Sequence, residues 1–230
     1  MMSILELLEI KHPIFLAPMA GVSTPELTAE VSNQGALGAL GLGANTPDSA
    51  KAQILHTQAL TEHPFQVNFF CHQPEQLNPE TAQQWIEYLG PQFAKFKAQP
   101  PKTLNCIYPS FLDNDDCWNV VLDTEPKAVS FHFGIPYPHQ IQALKQAGIM
   151  TMVTATNLLE AQAIEAAGID IIIAQGIEAG GHRGIFNKHI DAAIKTNDLV
   201  TLILSHCHCP VVAAGGIMNG EQARNMLKLG

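Results

Sequence analysis

Short apolar runs of strand length alternate with longer, mixed stretches of helical spacing along nearly all of the 230 residues. The runs predict strands at Ile14–Pro18, Ala36–Leu40, Phe65–Phe70, Ala128–Phe133, Met150–Ala155, Asp170–Ala174 and Val211–Ala214, with a further candidate at Thr103–Ile107. Helix starts are legible between them. Thr24-Pro25-Glu26, Thr46-Pro47-Asp48 and Asn78-Pro79-Glu80 each place a capping oxygen before a first-turn proline and an acid. Asn157 with Glu160 reads as an Asn variant of the capping box. A weak internal repeat runs through Leu144–Ile149 and Ile164–Ile169, each an apolar helix end, a glycine and then a buried strand. Met226–Gly230 looks like a third such helix end.

Repeated βα units with near-continuous apolar strands imply an α/β fold with a parallel sheet, open or closed. Polar, chemistry-bearing residues follow several different strands, which favours the (β/α)8 TIM barrel, whose loops converge on one face. Such barrels typically take about 250 residues. The expectation is therefore one barrel domain over 1–230, with strands 1–7 present, an eighth expected after residue 230, and a helical and loop excursion at about 72–126.

Composition narrows the function. The chain is 47% hydrophobic and carries a formal net charge of -9, so it lacks the basic footprint expected of a nucleic-acid or anionic-membrane binder. Any phosphate would be held by backbone N–H groups and local dipoles. The first residues, M-M-S-I-L-E-L-L-E-I-K, have no cationic lead and are interrupted by Glu6 and Glu9, unlike a signal peptide. No apolar run approaches the roughly 20 residues of a membrane span. The expected location is the cytoplasm. Five cysteines, an odd number without paired spacing, point to reduced thiols. Ser205-His206-Cys207-His208-Cys209 is read as a helix end and loop, since adjacent residues converge poorly on one ion, and no metal is expected.

Chemistry concentrates in Ile169–Gly184, I-D-I-I-I-A-Q-G-I-E-A-G-G-H-R-G, where an apolar strand ends in a polar, glycine-dense turn. His182 follows two glycines on a loop of the active face, and histidine is the side chain that changes charge near neutral pH. Gly180-Gly181 and Gly215-Gly216 are candidate anion cradles, the second followed by Asn219 as the cap of a helix running to Leu229. Asn68 is an amide inside an apolar strand and needs a partner. His132 shares a strand face with Ser130 and Gly134 and is either a pocket histidine or a core histidine bonded to a carbonyl.

Pro13–Gly21, Gln66–Phe70, Ser130–Gly134, Gln175–Gly184 and Ala213–Ile217 together resemble the nitronate monooxygenase family of FMN-dependent barrels, with the E-A-G-G-H-R-G segment the most specific. The resemblance implies a site. The backbone of Ala17, Pro18 and Met19 would lie along the flavin, Asn68 and Gln175 would bond its polar edge, and Gly180, Gly181, Ala214, Gly215 and Gly216 would approach the ring or hold the phosphate. His182 would act on substrate as base or anion-binding imidazolium, with His132 and Tyr108 beside it. Arg183 either helps hold an anion or pairs with an acid outside the pocket. The implied reaction is FMN-dependent oxidation of alkyl nitronates, or of nitroalkanes, by O2 to a carbonyl compound and nitrite. The partners are then those small molecules alone, and nothing in the sequence fixes an oligomeric state. The family's eighth strand adds a Gln-x-Gly-Thr segment to the phosphate site, which is absent here. The alternatives are a related barrel of enoyl-ACP reductase or NADH:quinone reductase type, or an inactive, truncated flavin-binding remnant.

Overall fold

In the computed structural model, which describes residues 3–74 and 77–229, six parallel strands form one sheet in chain order. They are β1 (Gly38–Gly41), β2 (Phe65–Phe70), β3 (Ala128–His132), β4 (Met150–Ala155), β5 (Ile171–Gln175) and β6 (Val211–Ala214). Every neighbouring pair is parallel, and the sheet curls into a half-barrel. The helices are α1 (Ile4–Leu8), α2 (Pro25–Asn33), α3 (Pro47–Leu60), α4 (Pro79–Lys95), α5 (Asp115–Thr124), α6 (Pro138–Gln146), α7 (Leu158–Ala166), α8 (Thr196–Leu204) and α9 (Gly220–Leu227).

The period-two alternation of the strands separates two cores. Outward residues Val67, Phe69, Val129, Phe131, Val153, Ala155, Ile172 and Ala174 meet the helices in one continuous cluster. Inward residues Leu37, Ala128, Met152 and Ile171 form a second cluster, with Leu8 and Ile10 packed among them at the amino-terminal side of the sheet. The inner face is thus apolar at one end and free to carry function at the other.

Six strands stand where seven were expected. Ile14–Pro18 makes only an isolated parallel bridge, Phe15 to Leu37, through Leu37 N–H to Ile14 O and Leu16 N–H to Leu37 O, both 2.9 Å. Pro13 and Pro18 have no N–H to extend the ladder, and from Met19 the chain folds into a turn closed by Ser23 N–H on Met19 O at 2.9 Å. Thr103–Ile107 is not a strand. It lies between β2 and β3, which pair directly with each other and leave it no slot. The excursion holds α4, a 3-10 turn at Phe111–Asp113 and α5.

The helix caps form as read. Thr24, Thr46, Asn78, Asn157 and Asn219 each accept a first-turn backbone N–H with the side chain. The Asn157 box is only half made, because Glu160 is used elsewhere. Gly148 and Gly168 end their helices at φ +74° and +78°, the conformation that favours glycine. Gly230, the expected third of the kind, lies outside the described residues.

Candidate active site

Phe70, His132, Gln175 and Ala214 are the last residues of β2, β3, β5 and β6, so their positions fall together at the carboxyl end of the sheet. One layer below, the inner face is polar. Asn68 and Ser130 are register partners, and the Asn68 amide donates to the Ser130 carbonyl at 3.1 Å and hydroxyl at 2.9 Å. Thr154 of β4 is fully buried, and its Oγ1 lies 2.5 Å from His132 Nδ1. Burial, with the nearby charge of His182 added to it, pushes the His132 pKa down to about 4. His132 is therefore neutral at physiological pH. Its ring bonds a threonine hydroxyl, and the Phe131 backbone acts on it as well.

Phe133 follows at φ +74°, a strained backbone for a bulky residue. The turn is held there because Gly134 presses against β2: a Cβ on it would sit 2.4 Å from Cys71 O. The left-handed step sets the Phe133 ring 5.0 Å from Phe70 and 5.9 Å from His182. Phe70 and Tyr108 lie 5.4 and 5.9 Å from the same imidazole. His182 is packed despite the glycines before it in the chain. Its residue is exposed, yet its ring rests on three aromatic edges and faces.

A dense set of bonds holds the loop that carries it. Gln175 Nε2 donates to His182 O at 3.0 Å, and Gln175 Oε1 accepts from Gly184 N–H at 2.8 Å and from Arg183 at 3.2 Å. Arg183 also donates to the carbonyls of Gln175 and Gly176 and grips Asp191 through Nε and Nη2 at 2.9 and 3.1 Å. Arg183 is thus the staple of its own loop, and its hydrogen bonds to Asp191 hold that carboxyl below the usual carboxylate range. The carboxylate of buried Glu160 accepts from Thr156 N–H (2.7 Å) and Thr156 Oγ1 (2.8 Å) on one side and Phe186 N–H (3.0 Å) on the other. It ties the β4–α7 turn to the His182 loop. Glu160→Ala leaves two backbone N–H groups without their acceptor, at about 1–3 kcal/mol each. A chemical melt should show that loss of stability, together with faster amide exchange at Phe186; unchanged exchange there would contradict the tie.

The glycine turns form a second knot. Gly215 and Gly216 have φ +122° and +68°. A Cβ on Gly215 would stand 3.0 Å from Ala179 N, and one on Gly216 would stand 2.8 Å from Glu178 Cβ. Glu178 in turn caps α8, accepting from Thr196 N–H at 2.8 Å. The turns after β5 and β6 are therefore packed on each other, and α9 begins next to them with Asn219 as cap. Gly180 and Gly181 stand in open space, Gly181 at φ +74°. Ala17, Pro18 and Met19 flank β1 across Gly41, where a Cβ would be 3.1 Å from Met19 N. Ala17 is exposed, while Pro18 and Met19 are half-buried.

The structure thus brings His132, Tyr108 and His182 together with Gln175, and packs Gly215-Gly216 against the turn leading to Gly180. Asn68 lies beneath, with its amide nitrogen committed to Ser130, and both lone pairs of Gln175 Oε1 are engaged in the loop. Thr154, Phe70 and Phe133 were not singled out from sequence, and Glu160 was read only as part of a helix cap. Thr154 had a signal: it shares an inner strand face with Met150 and Met152 and is the polar residue nearest the carboxyl end.

Comparison with known proteins bears on the family and the fold. Residues 2–230 match the family model described as nitronate monooxygenase. A nitronate monooxygenase of Paraburkholderia phytofirmans is 50% identical over 99% of the chain, and one of Pseudomonas aeruginosa is 49% identical over 97%. The structure of nitroalkane oxidase from Streptomyces ansochromogenes superposes with a TM-score of 0.87 at 39% identity, covering 96% of this chain and 63% of that one. The chain spans 63% and 64% of the length of the two bacterial relatives. Among the described residues no helix is long and apolar enough to cross a membrane.

Proposed function

The chain belongs to the nitronate monooxygenase family, and on that premise we propose that it oxidises alkyl nitronates, and nitroalkanes after their deprotonation, with FMN as cofactor and O2 as co-substrate. The observation that carries the reading is the convergence of His182, His132 and Tyr108 beside two interlocked glycine turns at the carboxyl end of one parallel sheet.

The fit to FMN differs between its two ends. Gly215 and Gly216 keep a side-chain-free cradle beside the start of α9, which suits a phosphate bound by backbone N–H groups. Gly180, Gly181 and Ala214 are its neighbours in this role, and the chain at Ala17, Pro18 and Met19 offers a wall for a flat ring. Gln175 retains one amide hydrogen toward a flavin edge, since its carbonyl is used. Asn68 acts from the layer below.

When bound, FMN supplies the electron acceptor for nitronate oxidation, O2 being the second reactant and a carbonyl compound with nitrite the products. The protein's own part is proton and anion handling. A ring nitrogen of His182 takes the α-proton of a neutral nitroalkane, or in its protonated form pairs with a nitronate oxygen. His132 and Tyr108 offer hydrogen-bond donors to that anion, and Phe70 and Phe133 pack against the imidazole.

Purified protein should be yellow and should bleach anaerobically on addition of propane-2-nitronate. NADH consumption without nitronate turnover would overturn the reading in favour of a reductase.

A further inference from the structure

His132 contains a constraint that the reading above does not use. Thr154 has no exposure to solvent, and among the described residues its hydroxyl has one partner, His132 Nδ1 at 2.5 Å. A buried hydroxyl proton needs an acceptor, and Nδ1 is the acceptor within reach. A ring nitrogen that accepts carries no proton, so the proton of the neutral imidazole sits on Nε2. The Phe131 backbone also acts on the ring, opposing the effect of burial. The contact is also fixed in place from the loop side: a Cβ on Gly184 would stand 2.6 Å from Thr154 Cγ2 and 3.5 Å from His132 Nδ1.

We propose that Thr154 is a positioning residue of the active site, locking His132 as a neutral Nε2–H donor for an oxygen of the anionic substrate. The inference rests on the proposed function for the identity of that anion, and on geometry alone for the tautomer. It divides the two histidines. His182, exposed on its loop, exchanges the proton, while His132 gives a hydrogen bond that does not change across the working pH range.

The surroundings support a donor that stays neutral. From the 176–195 loop, His182 bears on His132 and disfavours a second positive charge. Arg183 on the same loop is turned away to Asp191 and to the carbonyls of Gln175 and Gly176. From β2, Phe70 brings an uncharged ring, and Tyr108 lies beyond it against His182. β4 contributes the uncharged Thr154.

Two measurements test this separately. In ring-nitrogen NMR of the 230-residue chain, His132 should show the Nε2–H tautomer and stay neutral down to about pH 5. Thr154→Val, which keeps the branched shape and removes the proton, should give a mixture of tautomers, and Thr154→Ser should restore the single form. In the FMN-loaded protein, Thr154→Val should raise KM for propane-2-nitronate as the competent tautomer is diluted, about twofold for an even mixture. The pH profile of turnover should be unchanged, with rescue by Thr154→Ser. An Nδ1–H tautomer in the parent chain, or a Thr154→Val variant that keeps both tautomer and KM, overturns the proposal. Absence of nitronate turnover in the parent would strike the proposed function and leave the tautomer measurement standing.

Discussion

His182→Asn is expected to abolish turnover of neutral nitroalkanes while reducing that of pre-formed nitronates far less, with FMN still bound. A neutral nitroalkane must lose its α-proton before it can be oxidised, and a positioned general base contributes typically 10²–10⁴-fold to such a step. Asparagine keeps polarity and approximate size but cannot take the proton. The pre-formed nitronate has already lost it, so only anion binding suffers. Cofactor retention follows from the structure of the loop: Gln175 bonds to the His182 carbonyl, and Arg183 and Glu160 fix the chain on either side without using the imidazole. Stopped-flow reduction of the flavin under anaerobic conditions, with nitroethane and with ethyl nitronate in parallel, separates the two. Equal loss on both substrates would contradict proton abstraction and leave a role in positioning or charge. The three rings around the imidazole sharpen this expectation. Removing a ring-stacked side chain loosens Phe70, Tyr108 and Phe133 together, so a modest rise in KM for both substrates accompanies the selective loss of rate.

Which features were legible in the chain follows from what each kind of signal measures. β2, β4 and β6 were bounded to the residue because an apolar run between turn formers reports burial directly. The first strand was overread because Ile14–Pro18 has the right composition, and composition says nothing of ladder donors lost to proline or of an absent neighbour. Thr103–Ile107 failed for a topological reason, the direct pairing of β2 with β3. At the site, glycines and histidines stood out by type, so the turns after β5 and β6 and both histidines were read as candidates. The side chains that position them were not. Thr154, Glu160 and Glu178 act across 22, 26 and 18 residues of sequence on His132, Phe186 and Thr196. Long-range pairings of that kind leave no local pattern. Gln175 shows the converse. Its type and place suggested a ligand, and the structure spends most of its hydrogen-bonding capacity on the loop that carries His182.

That dependence of the site on close backbone contact gives the second large effect, at Gly176. A Cβ there would stand 2.1 Å from Thr196 Oγ1, 2.3 Å from Thr196 N and 2.4 Å from Thr196 Cα. The backbone atoms among these belong to the first turn of α8 and cannot rotate out of the way, so Gly176→Ala must push α8 from β5. Overpacking costs about 1–3 kcal/mol where side chains yield, and contact with backbone places this variant at the upper end, a fall in Tm of roughly 5–10 °C. The displacement also opens the Glu178–Thr196 cap and the Gly215 contact that depend on Thr196, so the phosphate cradle should be lost with it. Gly180→Ala is the control, since no atom lies within 4 Å of its would-be Cβ and its φ is not in the left-handed region. Its melting temperature should match the parent's within the small spread of surface substitutions, about 0.5 kcal/mol. Thermal melts followed by circular dichroism, with flavin content read from absorbance after gel filtration, distinguish the two. A Gly176→Ala protein that melts and holds flavin like the parent would mean that α8 is not pressed on β5 as described, and that the two glycine turns do not depend on each other.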